Sequence, residues 1–134
     1  MGTIVVGYVP KPEGDAALGR GIAEARLRGS RLVVINSHRG GRELDAETAA
    51  EVRQRLDEVR AQLQASGVDH DVRQLVRGQD VAEDVVAVAE ETGADLIVIG
   101  LRRRTPVGKL LLGSNAQRIL LEAPCAVLAV KAEG

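Results

Sequence analysis

The chain has 134 residues, a length that suits one domain, 1–134, with a single core flanked by helices. Its 18 basic and 19 acidic residues leave a formal net charge of -1, which excludes a global attraction to nucleic acid or anionic membrane and makes any anion site local. A lone cysteine, Cys125, forms no internal disulfide and suits a reducing compartment, and a lone aromatic residue, Tyr8, gives no stacking platform for single-stranded nucleic acid. No stretch reaches the ~18 apolar residues of a membrane span, and the start, Met1-Gly2-Thr3-Ile4, has no charged leader region. The expected location is the cytoplasm.

The first apolar run, Thr3 to Tyr8, predicts a strand. Asp15 to Arg28 predicts a helix capped by Asp15 and stopped by Gly29. Arg31 to Asn36 is the second strand, and Ser37-His38-Arg39-Gly40-Gly41-Arg42 reads as a loop. A long second helix follows from Asp45 to Ala65, with Ala49, Val52, Leu56, Val59 and Leu63 as one apolar stripe and Gly67 beyond its end. The third strand, Asp71 to Val76, is the least apolar, and its polar alternation places it at a sheet edge. Asp80, with Glu83 as capping-box partner, opens a third helix that runs to Glu91 and stops at Gly93. Asp95 to Ile99 is a fourth strand, Ser114 to Glu122 a fourth helix and Cys125 to Val130 a last strand. Aliphatic strands of this kind suit a parallel sheet buried on both faces. Their alternation with helices predicts an α/β fold with right-handed crossovers.

The chemistry concentrates after the fourth strand. There the chain reads Gly100-Leu101-Arg102-Arg103-Arg104-Thr105-Pro106-Val107-Gly108-Lys109 and then opens a helix at Gly113-Ser114-Asn115. N–H groups at a helix N-terminus have no intrahelical partner, the macrodipole favours negative charge there, and glycine lets a ligand approach, so this pattern makes an anion seat. Arg102, Arg103, Arg104 and Lys109 add charge-assisted donors, and guanidinium grips phosphate with two prongs. Plainer readings stay open: a solvated basic loop for the arginine run, turn and cap chemistry for Gly100 and Gly113, and an N-cap role for Ser114.

Other constellations carry less. Gly108-Lys109 fails as a Walker-type loop, because Arg103 stands at the required first glycine and Leu110 at the hydroxyl that would meet magnesium. His38 and His70 are separated by a whole helix and lack further ligands at metal-site spacing. Cys125 reads as packing and Glu90-Glu91 as helix surface. No nucleophile, base and oxyanion set assembles from Ser37, Thr105 or Ser114. No enzyme is expected, with slow hydrolysis of a bound nucleotide left open, since cations and positioning are most of what that reaction asks of a protein.

The order strand, Gly-loop, helix, strand, with Gly100, Gly113 and Ser114 at their spacing and Ala126-Val127-Leu128-Ala129-Val130-Lys131 closing the chain, resembles the universal stress protein family over the whole length. The family's pattern is Gly, two residues, Gly, nine residues, Gly, then Ser or Thr; its second glycine falls here on Arg103. The resemblance implies a Rossmann-like three-layer α/β/α domain whose five-stranded parallel sheet has the order 3-2-1-4-5. First and fourth strands then meet at the switch point, beyond whose carboxyl ends ligands collect. It also implies an adenine nucleotide such as ATP, with Mg2+ accompanying it. The phosphates would lie at Gly100, Arg102, Arg103, Gly113, Ser114 and Asn115, and the base and ribose toward Val9, Pro10 and Ser37.

This chain departs from that pattern. Val9 stands where the family places an aspartate near the ribose and accepts no side-chain hydrogen bond, and Pro10 lacks an N–H. Asn36 or Ser37 stands beside the adenine, where an apolar residue is commoner, and Arg103 carries a Cβ where glycine frees the backbone for φ > 0. The expected function is a cytosolic stress-response protein binding ATP, AMP or another phosphorylated ligand. The alternative is a dimeric scaffold without nucleotide that acts through protein partners. A contact of the arginine loop with RNA is a third reading, opposed by the missing aromatics and the charge balance. Family members pair the last strand antiparallel across a two-fold, implying a homodimer through 126–131, otherwise an exposed edge.

Overall fold

The computed structural model describes residues 2–38, 46–76, 80–102 and 112–132. Strands β1 (Thr3–Gly7), β2 (Arg31–His38), β3 (His70–Val76), β4 (Leu96–Leu101) and β5 (Ala126–Lys131) alternate with helices α1 (Pro12–Arg28), α2 (Ala46–Ser66), α3 (Val81–Thr92) and α4 (Ser114–Glu122). All neighbouring strands are parallel, in the order β3-β2-β1-β4-β5. That is the expected α/β architecture and strand order.

Uninterrupted aliphatic strands are what burial on two faces demands. Ile4, Val6, Leu32, Val34, Leu96 and Val98 share one core cluster with Leu18 and Ile22 of α1 and Val52, Leu56, Val59 and Leu63 of α2. Val5, Val33, Ile35, Ile97 and Ile99 share the other with Val85, Val88 and Ala89 of α3 and Ile119 of α4. The period-2 alternation of the strands thus divides the sheet between the two helical layers. β3 lies at one edge, as its polar alternation predicts, and an Arg73–Asp71 ion pair at 2.9 Å runs along it. β5 forms the other edge, with half-buried side chains at 127–130.

Gly29, Gly67 and Gly93 all have positive φ, between 63° and 74°, and end their helices as predicted. The helix starts differ. α1 begins at Pro12, three residues before the predicted cap, because proline at the first helical position is already set for helix and has no N–H to leave unpaired. Asp15 therefore lies inside the first turn and caps nothing. Its carboxylate instead accepts from the Tyr8 hydroxyl at 3.1 Å and from Arg55 at 2.6 Å, while Arg55 Nε also meets the Tyr8 oxygen at 3.1 Å. This knot ties β1, α1 and α2 together. Burial pushes the Tyr8 phenol above its usual pKa, and the Arg55 hydrogen bond works against that rise.

Asp80 is the residue before α3, as expected, but makes no side-chain cap hydrogen bond. The capping-box pair is instead drawn to α4: Arg118 reaches Asp80 at 2.8 Å, Glu83 at 3.3 Å and Glu122 at 3.1 Å. A guanidinium with several donors holds the two helices together here. Ser37 and His38 belong to β2 rather than a loop, and Gly100 and Leu101 belong to β4, paired with Val130 and Lys131.

Candidate functional site

β1 and β4 are neighbours, yet β2 continues the sheet on one side and β5 on the other. The connections leaving their carboxyl ends diverge, which opens a crevice there. A cleft of about 450 Å³ occupies it, lined by Val9 and Glu13 of the β1–α1 connection and first turn, Gly100 to Arg102 at the end of β4 and Leu112 to Ala116 at the start of α4. That volume lies within the roughly 300–1,000 Å³ of small-molecule sites. A smaller, apolar recess of about 110 Å³ adjoins it through Val9, Gly100, Asn115 and Ala116 and reaches Val81, Val85 and Ile119.

Helix α4 aims its start at this cleft. Gly113 is the N-cap, with extended φ -67° and ψ 165°, so Ser114 is the first helical residue rather than the cap. The first bond of the helical ladder runs from Gln117 N–H to the Gly113 carbonyl at 3.0 Å. The N–H groups of Ser114, Asn115 and Ala116 precede that ladder, and all three residues line the cleft. The Arg118 bonds to α3, one turn further on, fix the direction of this donor end.

The two glycines of the motif have different reasons. A Cβ on Gly100 would lie 1.9 Å from the backbone carbonyl oxygen of Glu13, so the close approach of α1 to β4 requires glycine whatever the site binds. A Cβ on Gly113 would meet nothing within 4 Å among the described residues, and its φ is one that any residue adopts. Among the described residues, neither packing nor backbone conformation requires glycine at 113. With no side chain at 113, no described residue closes the mouth of α4.

Of the residues predicted to hold phosphate, Gly100, Arg102, Gly113, Ser114 and Asn115 meet in the cleft, and Arg103 lies outside the described residues with Arg104 and Lys109. On the predicted base and ribose side, Val9 lines both the cleft and the recess. Exposed Pro10 and half-buried Ser37 line neither. Ser37 instead donates its hydroxyl to Asp84 Oδ2 of α3. Asp84 is fully buried, and its other oxygen, Oδ1, has no hydrogen-bond partner among the described residues. Asn36 is also buried, and its amide donates to the Tyr8 carbonyl at 3.2 Å, which anchors the end of β1 just before Val9.

Two acidic residues were missed in the sequence. Asp84 stood at stripe spacing among Val81, Val85 and Val88, and a carboxylate on an apolar stripe was the available signal. Glu13 lines the cleft with its side chain only 12% exposed, and its Oε2 receives Arg102 Nε at 3.4 Å. Glu13 lies four residues after Val9, in the first turn of α1. Cys125 is half-buried, and burial foremost, then the charge of Asp95, raises its thiol pKa. That fits packing, not a reactive thiolate. The described residues contain no group of three or more His, Cys, Asp or Glu side chains placed to hold a metal. The cleft's carboxylate, Glu13, is already paired with Arg102, so the described residues build no magnesium cage here. No helix among the described residues is long and apolar enough to cross a membrane.

Fold and cleft together define an open doubly wound α/β protein whose concave site faces a helix N-terminus at the switch point. The model of the universal stress protein family matches residues 1–131, and the chain belongs to that family. It is 49% identical over 131 residues to a universal stress protein of Mycolicibacterium smegmatis, covering 98% of each chain. The solved structure of a universal stress protein from Archaeoglobus fulgidus, 34% identical, matches with a TM-score of 0.84 over 98% of this chain and 99% of that one. A universal stress protein from the same organism, solved in complex with dAMP, is 30% identical and matches with a TM-score of 0.78 over 98% of each chain.

Proposed function

We propose that this chain is a cytoplasmic stress-response protein that binds an adenine nucleotide in the switch-point cleft without acting as an enzyme. The phosphates take the N–H groups of Ser114, Asn115 and Ala116 together with Arg102, and the sugar and base extend toward Val9 and the apolar recess. Gly113 carries the reading: nothing among the described residues asks for glycine there, and an open helix mouth is what a phosphate needs. The dAMP complex of the Archaeoglobus fulgidus relative supports the ligand class. Any Mg2+ arrives on the nucleotide's own phosphates, because the described residues offer it no cage.

The test is to denature freshly purified protein, identify released nucleotide by chromatography, and titrate the emptied protein with ATP, ADP and AMP by calorimetry. Micromolar binding of at least one is expected, a range typical of a modest small-molecule site. No released nucleotide and no heat would overturn the reading and leave a scaffold acting through protein partners.

The assembly belongs to the same proposal. β5 is an edge strand with a run of apolar residues from Ala126 to Val130 and no charge before Lys131, and such an edge invites pairing. We expect a homodimer through 126–131, visible by sedimentation at micromolar concentration. A monomer under those conditions would refute it.

A further inference from the structure

The cleft that seats an anion also contains a carboxylate. Glu13 Oε2 is engaged by Arg102 at 3.4 Å, and the side chain is largely withdrawn from water. Its position is not free to drift, because the Glu13 carbonyl and Cβ pack against Gly100 more closely than any side chain there would allow. A fixed carboxylate in a phosphate site is a liability for a bare polyanion, since like charges a few ångströms apart repel. Arg102 offsets the charge through Oε2. No hydrogen bond among the described residues engages Oε1, and a carboxylate oxygen accepts hydrogen bonds from donors.

The cleft therefore carries two chemically opposite kinds of group. Around α4 it offers donors: backbone N–H groups, the Ser114 hydroxyl and the Asn115 amide. At Glu13 it offers an acceptor, beside a Val9 side chain that can do neither. A ligand that suits both carries an anionic group and hydroxyl donors.

We propose that Glu13 is the specificity-determining residue of the site: it accepts hydrogen bonds from the ligand's sugar hydroxyls, and selects phosphate esters of a ribose over inorganic polyphosphate. Arg102 is its positioning partner, holding the carboxylate through one oxygen and neutralising it against the phosphates. The inference rests on the nucleotide reading of the cleft and goes beyond it by assigning the sugar end to a residue of α1.

The test compares calorimetric affinities of ATP, 2′,3′-dideoxy-ATP and tripolyphosphate for the wild type, Glu13→Met and Glu13→Gln, with thermal melts as a folding check. Hydrogen bonds to a charged acceptor predict that the wild type prefers ATP to the dideoxy form by about tenfold or more. In Glu13→Met that preference falls to near unity and tripolyphosphate binds more tightly, since a repelling charge is gone. Glu13→Gln keeps the side chain's size and a neutral acceptor, so its preference falls part-way, which decides the matter even where the methionine variant melts early. Equal affinity of the two nucleotides for the wild type, or a preference unchanged by both variants, overturns the role of Glu13 while leaving the nucleotide site standing. Wild-type protein that binds neither nucleotide overturns the site itself, and this assignment with it.

Discussion

Gly113→Asp is expected to remove nucleotide binding while leaving the protein at least as stable as the wild type. Residue 113 is the N-cap of α4 in an extended conformation, and a Cβ there meets nothing within 4 Å among the described residues. Aspartate is among the best N-cap residues, favoured over glycine by a few tenths of a kcal/mol, and its charge suits the positive end of the helix. Its carboxylate would bond the N–H of Asn115 or Ala116, the donors assigned to the ligand phosphate. The ligand thus loses donors and gains a like charge within a few ångströms, an effect of several kcal/mol at an effective dielectric constant of about 20. That corresponds to a loss of roughly 100-fold or more in affinity. Calorimetry with ATP and a thermal melt read the two effects separately. Gly113→Ala is the uncharged control; alanine is a poorer N-cap than glycine, so its melt falls by a few degrees while no repelling charge is added. An aspartate variant that binds ATP as the wild type does would move the phosphates away from α4 altogether.

The difference between the two glycines shows where the sequence was informative. Strands such as Ile4-Val5-Val6 and Leu96-Ile97-Val98-Ile99 were legible because burial on both faces leaves no room for polar residues. C-terminal helix stops were legible because Gly29, Gly67 and Gly93 sit in the left-handed region, where other residues are strained. Helix starts were less so: Asp15 and Glu83 have the composition of caps, but tertiary partners, Tyr8 with Arg55 and Arg118, claim their carboxylates. At Asp15 the proline at 12 has already started the helix three residues earlier, and at Glu83 a short-range propensity lost to charge pairing across helices.

The candidate site was half legible. Gly113, Ser114 and Asn115 could be read because a helix mouth is a local feature. Glu13 could not be read as a partner of Arg102, because their contact spans 89 residues and depends on how closely α1 approaches β4. Ser37 was placed at the base by its position at the end of β2. Its hydroxyl goes instead to Asp84, which no local pattern on α3 could have linked to it.

Gly100→Ala carries the second large effect, and it separates the fold's demand from the ligand's. The added methyl would sit 1.9 Å from the Glu13 carbonyl oxygen, 2.5 Å from its carbon and 2.9 Å from its Cβ. Two of those atoms are backbone, held by the first turn of α1, and no rotamer change relieves them. Overpacking of this kind costs about 1–3 kcal/mol and sometimes more. We expect the upper end, about 3 kcal/mol, or a fall in Tm of roughly 10 °C for a chain of this size. The strain relaxes by pushing the start of α1 off β4, which carries Glu13 away from Arg102 and widens the cleft. ATP affinity should therefore fall together with stability in Gly100→Ala, whereas in Gly113→Asp it falls alone. A Gly100→Ala protein that melts within about 2 °C of the wild type would mean that α1 and β4 tolerate separation. Glu13 would then not be held firmly enough to read a sugar, and the glycine at 100 would belong to the ligand after all.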